Sequence, residues 1–149
     1  MNSDFNDLLK LMDQFQVRFL VVGGYAVIRH TEPRFTKDLD LWIEATAENA
    51  ERCFRALASF GAPLAGLGPL DFTQQGYIYQ MGVPPFRVDI LMSLRGLSFE
   101  QAWQRRDVET VDGVSIPFLS KDDLIESKLA AGRPQDLLDV ESLRNAEKR

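Results

Sequence analysis

The segment from Phe19 to Val22 is wholly apolar, stops at two adjacent glycines, and is followed by residues that favour a helix. A short apolar run bounded in this way predicts a buried strand, and the helix should begin near Tyr25. Because glycine has no Cβ, Gly23 and Gly24 would let the backbone approach a ligand closely. Amides at the start of the helix would then face a phosphate. A simple tight turn is the alternative explanation of the glycine pair, and it is the commoner case.

Apolar and polar residues alternate from Leu39 to Glu44, which predicts a second strand with one face in the core. Further elements are predicted as helices at 4–15, 47–60, 99–104, 120–131 and 135–146, and as strands at 76–81, 86–92, 108–111 and 114–118. Mixed strands with interspersed helices indicate an α/β (α+β) fold, in which helices flank a mixed β-sheet. We expect one domain over 1–149, with a sheet-containing core at 1–118 and C-terminal helices at 119–149.

Composition limits where the protein works and what it binds. The chain is 45% apolar and 26% charged, as in ordinary soluble proteins. Its longest apolar run, 19–28, is too short to span a membrane, and its N-terminus carries acids where a secretory signal carries bases. We therefore expect a cytoplasmic protein without a membrane partner. The single Cys53 cannot form an internal disulfide, which agrees with this. The net charge of −5 argues against nonspecific binding to nucleic-acid backbones, although a local basic groove stays open as an alternative.

Two aspartates stand two residues apart at the start of the second strand. Asp38 and Asp40 should share one face of the strand, with Cα atoms ~7 Å apart, while Leu39 and Leu41 enter the core. Adjacent carboxylates repel each other unless a positive group lies between them, and a hard divalent cation is the usual one. A solvated edge with two harmless acids is the alternative. The apolar strand and the preceding basic loop, with Arg34 and Lys37, favour the cation.

A third acid lies in the predicted strand 86–92. Asp89 is flanked by Val88 and Ile90, which should face the opposite side of the sheet. A lone acid in a buried strand costs free energy unless it is paired or liganded. Three carboxylates on neighbouring strands therefore predict a site for two metal ions, Mg²⁺ or Mn²⁺. Such a site activates and orients a hydroxyl group and stabilises charge on a transferred phosphate.

A glycine pair, an Asp-x-Asp on a strand and one later strand Asp together resemble the nucleotidyltransferase superfamily of the polymerase-beta type. The stretch 21–27, with Arg34, Thr36 and 38–40, resembles its bacterial branch, which includes AbiEii-like toxins of abortive-infection systems and small stand-alone relatives. That branch also tends to carry a C-terminal lysine followed by an Arg/Lys-Asp-x-x-Asp pattern, matched in part here by Lys128, Arg133, Asp136 and Asp139. The resemblance covers most of the chain. The chain departs from the pattern where many members have Gly-Ser, at Gly24 and Tyr25, and at Gln135, where a basic residue is common.

The resemblance implies an enzyme that moves a nucleoside monophosphate from a nucleoside triphosphate to a hydroxyl group. Asp38, Asp40 and Asp89 would be the catalytic and metal-binding residues, with Asp89 helping to deprotonate the hydroxyl. The nucleotide-binding residues would be Gly23, Gly24, Thr36 and Lys128. The implied acceptor is RNA, such as tRNA, or a protein side chain, and a toxin of this branch would have an antitoxin partner.

Several alternatives stay open from the sequence. Lys128 is either a phosphate ligand or one more solvated helix residue, and Asp136 and Asp139 are solvated, paired with Arg133 or Arg144, or part of the cleft. Trp42 either stacks on a base or fills the margin of the sheet. The rival function is a catalytically degenerate binding or regulatory module of the same fold. The missing serine favours that module, and the three retained acids disfavour it.

Overall fold

The computed structural model describes residues 3–31, 36–83 and 86–146. The helices are α1 (Ser3–Gln14), α2 (Gly23–His30), α3 (Ala47–Phe60), α4 (Phe99–Gln104), α5 (Lys121–Ala131) and α6 (Pro134–Asn145). The strands are β1 (Phe19–Val22), β2 (Asp38–Ile43), β3 (Ile78–Val83), β4 (Phe86–Leu91), β5 (Asp107–Val111) and β6 (Val114–Phe118). A short 3₁₀ helix, Pro69–Thr73, lies between α3 and β3.

The strands form one mixed sheet in the order β3-β4-β2-β1-β6-β5. Strand β1 pairs antiparallel with β2 and parallel with β6, and β2 pairs parallel with β4. The outer strands β3 and β5 pair antiparallel with their neighbours β4 and β6. This mixed sheet with flanking helices and a helical C-terminus confirms the predicted α/β (α+β) fold.

The sheet separates two apolar cores. On one face α1 and α3 pack against the inward residues of β2, which are Leu39, Leu41 and Ile43, all completely buried. The other face carries Trp42 and is covered by α2, α4, α5 and α6. Because side chains alternate along a strand, Asp38 and Asp40 must point to this second face. Asp38 and Asp40 therefore share one face of β2, as the alternation in the sequence predicts.

Helices α5 and α6 form a hairpin that covers this second face. The Ser120 hydroxyl caps α5 by accepting a hydrogen bond of 3.2 Å from the backbone amide of Asp123. The helix ends at Gly132, whose φ of +67° suits a residue without a Cβ. Pro134 then starts α6 after a connection of two residues. The connection is so short that the two helices must run side by side, with facing charged residues within reach of each other.

Helix α2 and strand β3 begin two residues away from the predicted positions, and several other boundaries differ by one residue. Helix α2 begins at Gly23 rather than near Tyr25, because the glycine pair forms its first turn instead of a separate loop. Strand β3 begins at Ile78, since Gly76 and Tyr77 lie in the turn before it. None of the helices in the described ranges combines the length and the apolar character needed to cross a membrane.

Candidate functional site

Strand register brings the predicted acids together at the second face. Asp40 lies opposite Asp89 in the parallel pair of β2 and β4, and opposite Val22 in the antiparallel pair of β1 and β2. Neighbouring strands are ~4.8 Å apart, so in-register carboxylates on one face are close neighbours. The Asp89 side chain is 13% exposed, whereas that of Asp38 is 42% exposed. The three acids thus form a row that runs from solvent into the body of the sheet.

Arg87 lies among these carboxylates, and the sequence analysis did not single it out. Its Nε donates a hydrogen bond of 3.1 Å to Oδ1 of Asp89, and its Nη2 lies 3.5 Å from Oδ2 of Asp38. Arg87 stands two residues before Asp89 on β4 and opposite Asp38 on β2. The i, i+2 spacing of Arg87 and Asp89 is visible in the sequence. The pairing of Arg87 with Asp38 on the neighbouring strand is not. The guanidinium group of Arg87 therefore supplies positive charge between Asp38 and Asp89.

The negative charge of Asp40 is compensated less than the charges of Asp38 and Asp89, which Arg87 contacts. Burial is the largest cause that raises the pKa of Asp40 to about 7, followed by the negative charges of Asp89 and Asp38, while Arg87 lowers this pKa only in part. The row therefore holds more negative charge than Arg87 balances. Within 3–31, 36–83 and 86–146, no three or more His, Cys, Asp or Glu side chains are grouped closely enough in this conformation to hold a metal ion.

A cleft of about 310 Å³ opens above Asp40 and Asp89. Its other lining residues come from the β1–α2 turn, the end of β4 and the segment after it, and the α5–α6 hairpin: Val22, Gly23, Leu91, Leu94, Arg95, Leu124, Ser127, Lys128, Ala131, Arg133 and Asp136. The cleft therefore brings predicted site residues from four distant parts of the chain into one place. Asp38, Gly24 and Thr36 are not among its lining residues.

The glycine pair makes close contacts with side chains of the site. Gly23 has φ of +67°, and a Cβ built on it would clash with the carboxylate of Asp40. A Cβ on Gly24 would lie 2.6 Å from Oγ1 of Thr36. The glycine pair therefore lies against Asp40 and Thr36, and its close approach to a ligand stays a prediction. The N-cap residue of α2, Val22, forms no side-chain cap hydrogen bond.

Lys128 is built into the wall of the cleft. Its Nζ lies 3.0 Å from Oδ2 of Asp139 and 3.5 Å from Oδ1 of Asp136, and its side chain is 13% exposed. Asp136 also accepts a hydrogen bond of 2.6 Å from Nε of Arg133, and Asp139 accepts one of 3.0 Å from Gln135. Of the alternatives left open for this motif, Asp136 pairs with Arg133 and lines the cleft. Neither Asp136 nor Asp139 is solvated, since both are buried.

The Asp136 ion pairs should make the protein sensitive to acid. The Arg133 hydrogen bond is the main cause that lowers the pKa of Asp136. An acid with a lowered folded-state pKa stabilises the protein above its unfolded-state pKa, about 3.9, and loses this contribution as the pH falls through the lowered value. We expect Asp136→Asn to cost about 2 kcal/mol at pH 7 and much less near pH 2. Urea unfolding at both pH values measures this.

The control for this experiment is Asp13→Asn, which removes an exposed acid from α1 on the opposite side of the sheet. It should change the free energy of unfolding little at either pH. An equal cost for Asp136→Asn at both pH values would show that the charge of Asp136 does not stabilise the fold.

Trp42, His30 and Trp103 do not line the cleft. Trp42 is buried and packs edge-to-face on Phe99 at 5.1 Å, so it belongs to the core and cannot stack on a base. His30 contacts the backbone oxygen of Leu119 through Nε2 at 3.0 Å, at the far end of α2. Trp103 is half-buried beside the arginines of another groove. Arg34 of the basic loop lies outside the described residues.

Several solved structures share this fold. The lincosamide antibiotic adenylyltransferase LnuA, in its lincomycin-bound form, aligns with a TM-score of 0.59 and 14% identity over 97% of each chain. A candidate nucleotidyltransferase from Thermotoga maritima aligns with a TM-score of 0.60 and 15% identity, over 95% of this chain and 90% of its own. The antibiotic-resistance factor ANT(2'')-Ia aligns with a TM-score of 0.58 and 14% identity, over 95% of this chain and 80% of its own.

No curated protein sequence matches the chain at a significant level. The sequence does match, over residues 2–146, the profile of a family described as nucleotidyltransferases of unknown function, DUF6036. This match spans the whole described sheet, the cleft and the α5–α6 hairpin. The chain therefore belongs to the DUF6036 family of nucleotidyltransferases.

Proposed function

We propose that this protein transfers a nucleoside monophosphate from a nucleoside triphosphate to a hydroxyl acceptor, with Mg²⁺ or Mn²⁺ held by Asp38, Asp40 and Asp89. The observation that carries the proposal is the register of Asp40 with Asp89 at the floor of a cleft that Lys128 also lines. A cleft with acids on one side and cations on the other suits a metal-bound polyanion.

The donor set of the acids fits a hard divalent cation. All three ligands are carboxylate oxygens, which magnesium and manganese prefer. Burial is the largest cause of the raised pKa of Asp40, the nearby charges of Asp89 and Asp38 add to it, and Arg87 offsets it only in part. When bound, the cation would neutralise charge on the phosphates and favour the ionised acceptor hydroxyl. Arg87 is 43% exposed and so has room to leave Asp38 and Asp89 when the cation takes its place.

The nucleotide would lie between the β1–α2 turn and the α5–α6 hairpin. Amides at the start of α2, at Gly23 and Gly24, would suit a phosphate because the helix dipole favours negative charge there. Thr36 lies against Gly24 and offers a hydroxyl group beside this turn. Lys128 faces the same cleft from α5. Asp89, the half-buried neighbour of Asp40, is the base that would receive the proton of the acceptor hydroxyl.

Three classes of acceptor agree with this site. The sequence resemblance to AbiEii-like proteins suggests RNA such as tRNA, or a protein side chain, and with it a toxin that is paired with an antitoxin protein. The structural neighbours add a hydroxylated small molecule, because LnuA is an adenylyltransferase of lincosamide antibiotics. The net charge of −5 favours an acceptor recognised locally rather than along a nucleic-acid backbone.

The test is transfer of label from each of the four α-³²P-labelled nucleoside triphosphates, with magnesium or manganese. Acceptor arms contain total tRNA, a cell lysate, lincomycin or tobramycin. We expect metal-dependent labelling in one arm. Metal-dependent binding of nucleotide with no labelled product in any arm would contradict transfer and support the binding module instead.

A further inference from the structure

Three cationic side chains line the cleft, and their surroundings differ. Lys128 lies between the carboxylates of Asp136 and Asp139, and Arg133 donates to Asp136. Arg95 also lines the cleft, and the structure gives it no hydrogen bond or ion pair with any described residue. Its side chain is exposed. Among the three cations of the cleft wall, Arg95 is therefore the one whose charge no acid in the described parts of the chain compensates.

The backbone that carries Arg95 is held in place. Arg95 and Gly96 are the central residues of a turn closed by a hydrogen bond of 3.3 Å from the amide of Leu97 to the carbonyl oxygen of Leu94. Gly96 has φ of +85°, which a type II turn requires at its third residue. A Cβ on Gly96 would lie 3.0 Å from the Cβ of Ala130, so the turn packs directly on α5. A fixed backbone with a free side chain at the cleft is the arrangement expected of a ligand-binding arginine.

We propose that Arg95 binds the β- and γ-phosphates of the nucleoside triphosphate. This inference rests on the proposed function, because it names the residue of that site that reads the triphosphate. A guanidinium group makes paired hydrogen bonds to phosphate oxygens, and an uncompensated one attracts a polyanion more strongly than one already neutralised. The carboxylates beside Lys128 cancel much of its charge, so Arg95 contributes the larger share of phosphate attraction in this cleft.

The experiment measures binding by calorimetry in magnesium for the wild type, Arg95→Gln and Arg95→Lys. The ligands are ATP, GTP, CTP and UTP, the matching monophosphates, and inorganic tripolyphosphate. We expect Arg95→Gln to weaken triphosphate and tripolyphosphate binding roughly 10-fold to 100-fold, the usual effect of losing a charge-assisted hydrogen bond. Monophosphate binding should change by less than about two-fold, since no terminal phosphate is present. Arg95→Lys should recover part of the loss because it keeps the charge without the planar fork.

Arg55→Gln is the matched control, because Arg55 is an exposed arginine of α3 on the other side of the sheet, paired with Glu51. It should leave all affinities unchanged. The melting temperature of Arg95→Gln should equal that of the wild type, since no partner is lost.

Failure has distinct forms. A wild type that binds no triphosphate in magnesium refutes the proposed function and the role of Arg95 with it. If Arg95→Gln binds triphosphate as tightly as the wild type, the role of Arg95 is refuted and the proposed function is not. Equal losses for mono- and triphosphate would place Arg95 at the nucleoside. That outcome also overturns the inference.

Discussion

Asp40→Asn should reduce nucleotide transfer by at least roughly 100-fold, because an amide is a poorer ligand than a carboxylate for a hard cation. The substitution is nearly isosteric, so the packing of β2 between β1 and β4 should survive. Without metal, the variant should be the more stable protein. Burial, and then the charges of Asp89 and Asp38, raise the pKa of Asp40 to about 7, so ionised Asp40 destabilises the fold.

The pH dependence of this gain has a definite sign. An acid with a raised folded-state pKa destabilises the native protein above that pKa and not below its unfolded-state value. In chelator, Asp40→Asn should therefore gain about 2 kcal/mol over the wild type at pH 8 and almost nothing below pH 4. In magnesium the order should reverse, because the wild type gains stability from a ligand that the variant binds poorly.

Thermal melts of both proteins, with magnesium and with chelator, measure this reversal. Asp112→Asn, which removes an acid from the β5–β6 turn, is the control and should show no dependence on magnesium. If magnesium plus nucleotide shifts the melting temperatures of wild type and Asp40→Asn equally, the three acids do not hold a metal ion.

Gly23→Ala should be among the most destabilising single substitutions in the chain. It places a side chain at φ of +67°, which costs about 1–2 kcal/mol in an L-residue. Its Cβ would also collide with the carboxylate of Asp40, and such overpacking typically costs about 1–3 kcal/mol more. We expect a total loss of about 3 kcal/mol, together with loss of transfer, since Asp40 must move from its position opposite Asp89.

Gly132→Ala separates the two causes. Gly132 has the same φ of +67°, but its Cβ would have no contact closer than 3.6 Å, to the carbonyl oxygen of Leu129. It should therefore lose only the conformational part, about 1–2 kcal/mol. Urea unfolding of both variants gives the difference. Adding Asp40→Ala to Gly23→Ala should restore some stability by removing most of the collision. Equal losses for Gly23→Ala and Gly132→Ala would show that the contact with Asp40 has no cost.

Local patterns predicted most of the fold because they depend on residues close together in sequence. Alternation in 39–44 places Asp38 and Asp40 on one face, and the apolar run 19–22 with its two glycines gives β1 and the turn into α2. Each of these signals is a property of one segment. The boundary at Gly23 differed because a glycine pair looks like a loop in the sequence, whereas the fold uses its positive φ to begin a helix directly.

The charge partners of the site depend on register, which no single segment specifies. Arg87 meets Asp38 only because β2 and β4 pair in parallel with one particular offset across 49 positions of sequence. Lys128 meets Asp139 only because the connection between α5 and α6 is short enough to lay them side by side. The sequence identified the acids and the lysine, but their partners required the assembled sheet and hairpin.

The thiol of Cys53 lies on α3 in the core between that helix and the sheet, with no exposed surface, and burial raises its pKa to about 12. A thiol reagent can reach this atom only when the core opens, so the rate of alkylation reports the opening equilibrium of the native chain. Any ligand that binds only the closed form slows alkylation in proportion to its occupancy. The alkylation rate of Cys53 can therefore rank nucleotides and metal ions by how strongly they bind, without a dye, a label or a known acceptor.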